Sequence, residues 1–157
     1  MIFVTVGTQL PFDRLISTVD QWAGRTGEPV FAQVGPSQRT FENLDTIPFL
    51  SPEEADRKFS EASVIIAHAG MGTIFTALAA RKPLLVLPRQ GRLGEHRNDH
   101  QMATARRLSD RGLVTVAWTE EELERRLEAI HDIQPNAPIS EDAEDSLLDA
   151  VRGFLRD

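Results

Sequence analysis

Eleven residues near the middle of the chain carry the pattern best suited to chemistry: Ser63-Val64-Ile65-Ile66-Ala67-His68-Ala69-Gly70-Met71-Gly72-Thr73. The apolar, β-branched run at 64–67 reads as a strand covered on both faces. His68 follows it, then a glycine turn, then a helix predicted over residues 73–81. Gly70 and Gly72 carry no Cβ, so a ligand can come close to the backbone there. The helix would aim its first free N–H groups and the positive end of its dipole at the turn, which is the geometry of an anion site. Taken alone, these residues are better explained as a βα turn that needs glycine only for its backbone angles. His68 has its own plain explanation, a hydrogen-bonded core histidine, although its place one step before the turn favours contact with a ligand.

A second group lies at residues 89–101, where Arg89, Arg92, Glu95, His96, Arg97, Asn98, Asp99, His100 and Gln101 crowd around Gly91 and Gly94. Glu95, His96 and His100 raise the question of a metal. A helix predicted from Asn98 begins between the two histidines and no His-Glu-x-x-His pattern is present, so no metal is expected. Asn98 and Gln101 also fit the first and fourth positions of a capping box, with Asp99 favourable at the positive end of the dipole. That explanation leaves Glu95, His96 and His100 unaccounted for.

Other chemistries are poorly supported. The first strand is followed by Gly7 but by no Gly-x-Gly-x-x-Gly, and the second ends at Val34-Gly35-Pro36 without an acid for a ribose hydroxyl. A Walker loop is absent, and with no cysteine there is neither disulfide nor thiol chemistry. The net charge of −7 argues against general nucleic-acid binding. Charge is nonetheless uneven. Residues 81–111 hold eight Lys or Arg against three acids, whereas residues 119–157 hold twelve acids against four arginines. A basic segment inside an acidic chain suits a local anionic ligand, and it also suits a solvated helix face.

The elements that must position these groups alternate along the chain. Strands are predicted at residues 2–6, 29–34, 46–50, 64–67, 84–87 and 113–117. Helices are predicted at 12–24, 52–62, 73–81, 98–109, 120–130 and 141–155. The helix at 12–24 places Phe12, Leu15, Ile16, Val19 and Trp22 on one face, and Gly24 and Gly27 stop it. Ser51-Pro52-Glu53-Glu54 is a capping signature. The expected fold is a single α/β domain over 1–157, a Rossmann-like lobe with a parallel sheet of about six strands and helices on both faces. Ligands bind such sheets beyond the carboxyl ends of the strands. Loops 7–11, 35–40, 50–52, 68–73 and 89–98 meet at that edge and hold nearly all the unusual residues. No signal peptide is expected ahead of residue 2, and no apolar stretch approaches the roughly 18 residues needed to span a bilayer.

Three blocks in this order resemble the C-terminal domain of glycosyltransferase family 28. They are Val4-Thr5-Val6-Gly7-Thr8 with Phe12-Asp13-Arg14-Leu15; His68-Ala69-Gly70-Met71-Gly72-Thr73 with Lys82-Pro83-Leu84; and Pro88-Arg89 with Gly94-Glu95-His96-Arg97-Asn98-Asp99-His100-Gln101. The likeness covers about residues 1–130. It is greatest to stand-alone bacterial subunits of exopolysaccharide synthesis, and extends to the catalytic subunit of the eukaryotic dolichol-linked UDP-GlcNAc transferase.

The resemblance implies the donor-binding half of a GT-B glycosyltransferase, with the acceptor half a separate, membrane-associated protein. It implies transfer of a hexose, uronic acid or N-acetylhexosamine from a UDP-sugar to a lipid-linked acceptor, with inversion. No cofactor or metal is implied, and the location would be cytoplasmic, peripheral to a membrane through the partner. The alternative is a UDP-binding regulatory or interaction module without turnover of its own.

Position by position, Gly70, Met71, Gly72 and Thr73 would face the diphosphate. Gly7 and Thr8 would lie across the cleft near the reacting centre, Phe49 and Leu50 near the uracil, and Asn98, Asp99, His100 and Gln101 at the sugar hydroxyls. Glu95 and His96 join the donor-binding set. Arg89, Arg92 or Arg97 would help to stabilise the leaving diphosphate, and a loop arginine could take the carboxylate of a uronic acid donor. The general base would come from the partner, with His68 and Asp13 as local candidates. Many relatives have a Glu on the helix after the turn for the ribose hydroxyls. Here Thr76 stands there, a weaker acceptor, and Glu95 or Asp99 could substitute. An isolated lobe should expose an apolar face for its partner, and that face could pair two copies of the chain.

Overall fold

The computed structural model describes residues 1–135. The helix expected at 141–155 lies outside them. Six parallel strands run β1 (Ile2–Thr5), β2 (Val30–Gln33), β3 (Asp45–Ile47), β4 (Val64–His68), β5 (Leu84–Leu87) and β6 (Thr115–Val116). Their order across the sheet is β3-β2-β1-β4-β5-β6. The helices are α1 (Asp13–Thr26), α2 (Pro52–Glu61), α3 (Met71–Ala79), α4 (His100–Asp110) and α5 (Glu120–Glu128). Strand order reverses between β1 and β4, so the loops leaving these two strands diverge and leave a crevice between them.

Alternation along each strand makes the two core layers. Ile2, Val4, Ile66, Leu85 and Leu87 pack on one face with Leu15, Ile16, Val19 and Trp22 of α1 and Leu123 and Leu127 of α5. Phe3, Ile65, Ala67, Leu84 and Val86 pack on the other face with Phe59 of α2, Ile74 and Ala77 of α3, and Leu108 of α4. The register of β1 with β4, Phe3 opposite Ile65 and Thr5 opposite Ala67, brings both crevice loops off the sheet at the same level.

The structure corrects several boundaries. Gly24 does not stop α1 but lies inside it. A Cβ there would come 2.7 Å from the Asn43 amide, so the glycine makes room for the helix-free link from β2 to β3. Gly27 is the stop, at φ 74°. Strand β3 is shorter than expected and ends at Ile47, which puts Phe49 and Leu50 in the link to α2. Helix α3 starts at Met71, because Gly70 O already accepts from Ile74 N at 3.0 Å. Gly72 therefore belongs to the first helical turn. Helix α4 starts at His100, two residues late. The capping box at Ser51 and Glu54 forms as expected.

Candidate functional site

Beyond the carboxyl ends of β1, β4 and β5 lies a cavity of about 590 Å³. It is walled by residues 6–10, by 68–73 and by Arg89, His96, His100 and Gln101. A larger hollow, about 730 Å³ beside β6 and α5, is remote from these loops. The first cavity combines the switch in strand order with the chemistry-bearing residues, so it is the functional candidate.

Helix α3 opens into it. The N–H groups of Met71, Gly72 and Thr73 have no partner among the described residues, and no side chain caps the helix. A Cβ on Gly72 would meet nothing within 4 Å, so that position faces open space. Gly70 differs. A Cβ there would lie 2.3 Å from His68 Cε1, and one on Gly7 would lie 3.0 Å from the same atom. The two glycines hold the imidazole between them, so the expected ligand approach at Gly70 gives way to a histidine. Gly7 also has φ 75°, a left-handed conformation that other residues seldom take.

Gln101 is the hub of the site, and its capping role is corrected. Its Oε1 accepts from Ala69 N at 3.2 Å and from Arg89 N at 3.1 Å, while its Nε2 lies 3.1 Å from His68 Nδ1. One amide thus joins the ends of β4 and β5. Asn98 Oδ1 instead accepts from His100 N at 2.9 Å, and Asp99 Oδ1 from Gly91 N at 2.8 Å. His68 Nε2 lies 3.3 Å from Thr73 Oγ1. Burial, then the nearby Arg89 and His96, lower the His68 pKa from 6.5 to about 3, so the ring is neutral at pH 7.

Charged residues at this edge mostly serve the backbone. Arg89 is 2% exposed. Its guanidinium donates to Pro11 O, Glu95 O, Val6 O and Leu10 O at 2.7–3.1 Å and lies over the Phe12 ring at 4.8 Å. Four of its five N–H groups are therefore spent on backbone carbonyls, three of them at residues 6–11 and one at Glu95, and burial lowers its pKa to about 10, still well above neutrality. Glu95 is held from both sides by Arg14 at 2.9 Å and also accepts from Gln90 N at 3.1 Å. That leaves little of its carboxylate for a ribose. Arg92 bonds Gln90, and both Arg92 and Arg97 are exposed.

Other expected residues fall outside the cavity lining. Asp13 accepts from Ser37 Oγ at 2.6 Å. Phe49 is exposed on the link after β3, and Leu50 is partly buried against the second core layer. The Thr76 hydroxyl donates to Gly72 O at 2.9 Å. Gly7, Thr8, His68, Gly70, Met71, Gly72, Thr73, Arg89, His96, His100 and Gln101 are brought together as the wall. Val6, Gln9, Leu10 and Ala69 join them without having been singled out. Their only signal was position, since each sits at the end of a strand or in the loop after it. The described wall includes three histidines and an arginine but no carboxylate. Among the described residues no three His, Asp or Glu gather as metal ligands, and no helix is long and apolar enough to cross a membrane.

A parallel sheet with this strand order and a glycine turn feeding a helix at the crevice defines a Rossmann-like lobe. The family comparison is more specific. Residues 1–151 match the glycosyltransferase family 28 C-terminal domain, and the chain belongs to that family. No curated protein sequence matches it.

Among solved structures it is similar to the solution structure of ALG13, at 21% identity and TM-score 0.63, covering 93% of this chain and 94% of that one. Acinetobacter baumannii MurG follows at 20% identity and TM-score 0.63, covering 99% of this chain and 49% of that one. The UDP-GlcNAc 2-epimerase of Methanocaldococcus jannaschii, solved with UDP-GlcNAc and UDP, matches at 11% identity and TM-score 0.60, over 99% of this chain and 45% of that one. Identities this low speak for the fold. The chain spans about two-fifths to one-half of most of these proteins.

Proposed function

We propose that this lobe binds the UDP-sugar donor of an inverting glycosyltransferase, with its diphosphate at the start of α3. The observation that carries the reading is the set of unpartnered amides at Met71, Gly72 and Thr73, opening into a cavity whose described wall has no carboxylate. Amides and a helix dipole there would stabilise the charge that builds on the departing UDP without a metal. Arg89 would add its positive field, and its hydrogen bonds would keep the 7–11 loop in place. Thr8, His96 and His100 line the same cavity and would reach the sugar and phosphates.

The acceptor hydroxyl would attack the anomeric carbon from the side opposite the leaving diphosphate. Its proton needs a base, and neither local candidate offers one. Asp13 is tied to Ser37 outside the cavity wall, and both ring nitrogens of His68 have neighbours within hydrogen-bonding distance. We therefore assign the base to a membrane-associated acceptor-binding partner acting on a lipid-linked substrate. The donor lobe would then sit at the cytoplasmic face of a membrane. Leu10, Phe49 and Leu93 are exposed apolar side chains on loops of the sheet's carboxyl edge and suit such contact, or contact between two copies.

The test is thermal protection by a panel of UDP-sugars, followed by transfer to a lipid-linked acceptor with the partner present. Binding stabilises by RT ln(1 + [L]/Kd), so a ligand at 100 times its Kd should add about 2.7 kcal/mol. Protection by one UDP-sugar and transfer with the partner would support the reading. Protection without transfer would favour a regulatory module.

A further inference from the structure

We propose that Gln101 is a positioning residue that fixes His68 as the neutral Nε2–H tautomer, making the ring a hydrogen-bond donor toward Thr73 and the cavity rather than a base. The amide orientation follows from its partners. Two backbone N–H groups, of Ala69 and Arg89, converge on one end of the Gln101 side chain at 3.2 and 3.1 Å. Both are donors, so that end must be the carbonyl oxygen. The other end is then the NH₂ group, which donates to His68 Nδ1 at 3.1 Å. Nδ1 accepts, so in the neutral ring the proton sits on Nε2.

Nε2 lies 3.3 Å from Thr73 Oγ1. The Thr73 hydroxyl accepts there and keeps its own hydrogen to donate elsewhere, beside the open amides of α3. The order of donation runs from Gln101 to His68 to Thr73, ending at the cavity. Groups around the ring favour the same state. The ring is buried beside Gly7 and Gly70, and burial, then Arg89 and His96, oppose a second proton on it. His100 lies in the same wall. The inference deepens the donor-binding reading, because a chain of donors suits a diphosphate and a base does not.

The test is ¹⁵N NMR of the full chain labelled at histidine, recorded without nucleotide between pH 5 and 8. The expected result is a His68 ring with Nε2 protonated and Nδ1 unprotonated throughout. A protonated Nδ1, or a ring that titrates within that range, would overturn the proposal. The wild-type spectrum decides this even if no variant folds.

Gln101→Glu supplies the second arm. It keeps the shape and the oxygen for Ala69 and Arg89 but replaces the NH₂ donor with a carboxylate oxygen. His68 should then carry a proton on Nδ1, and its titration midpoint should rise by roughly 1 to 3 pH units. Unchanged His68 signals in a folded Gln101→Glu protein would mean that Gln101 only packs, and would count against the proposal. Calorimetry of the wild type with UDP separates the two readings. UDP binding with the wrong tautomer sinks this inference alone, and the right tautomer without UDP binding sinks the donor-binding reading alone.

Discussion

The two walls of the cavity are built on opposite principles. On one side, loops 7–11 and 89–97 have their buried charges bound inward: Arg89 holds four backbone carbonyls, and behind the lining Arg14 holds Glu95. The wall made by residues 70–73 has no charged side chain, yet the amides of Met71, Gly72 and Thr73 have no partner among the described residues and Gly72 faces open space. Charge near a site is thus a poor guide to which residue meets the ligand. A buried arginine must satisfy its donors, and here the nearest acceptors are carbonyls of the loop it crosses. Amides at a helix start have no such partner, and they are what the fold offers to an anion.

Breaking the charged wall should have the largest effect on stability. Arg89→Met strands four carbonyls and should cost on the order of 3–5 kcal/mol, read as a lower denaturant midpoint. A loss under about 1 kcal/mol would show that water replaces those bonds easily. Gly70→Ala should come next, at about 1–3 kcal/mol, because its Cβ meets the imidazole. Gly72→Ala should change stability by less than about 1 kcal/mol, and the pair of glycines tests the difference within a single turn. Removing the exposed pair of Arg25 and Glu128 should change stability least, by less than about 1 kcal/mol, as the side chains are 62% and 60% exposed.

Acid sharpens the same comparison. The His68 pKa is lower in the folded chain, about 3, than the ordinary 6.5 of the unfolded chain. Between these values the unfolded state binds more protons, so stability is lost as pH falls from about 6.5 toward 3. His68→Asn should flatten that slope in denaturant melts taken at several pH values. An unchanged slope would mean that other groups dominate it.

Much of the scaffold was legible because it is local. Short apolar runs at 2–6, 64–67 and 84–87 mark the strands, and Ser51 with Glu54 marks the start of α2. The loops of the cavity were legible as well, because a parallel sheet puts its ligand edge at the strand ends. The partners of individual side chains were not. Gln101 looks like a capping residue in its own helix, and only the fold brings Ala69, 32 positions away, to its oxygen. Arg89 looks like a phosphate ligand until Val6 and Leu10 are seen to hold it. A charged residue placed directly after an apolar strand and Pro88 was the available hint, since burial there requires buried acceptors. Gly70 and Gly72 read alike in sequence and differ only because His68 folds back over one of them.

The most direct test of the central claim, that the start of α3 receives a diphosphate, is calorimetric titration of UDP into the wild type and a Gly72→Trp variant, with the fold of each checked by circular dichroism. The account predicts saturable binding to the wild type and at least tenfold weaker binding to a folded variant. No heat with millimolar UDP, or equal affinity in the two proteins, would contradict it.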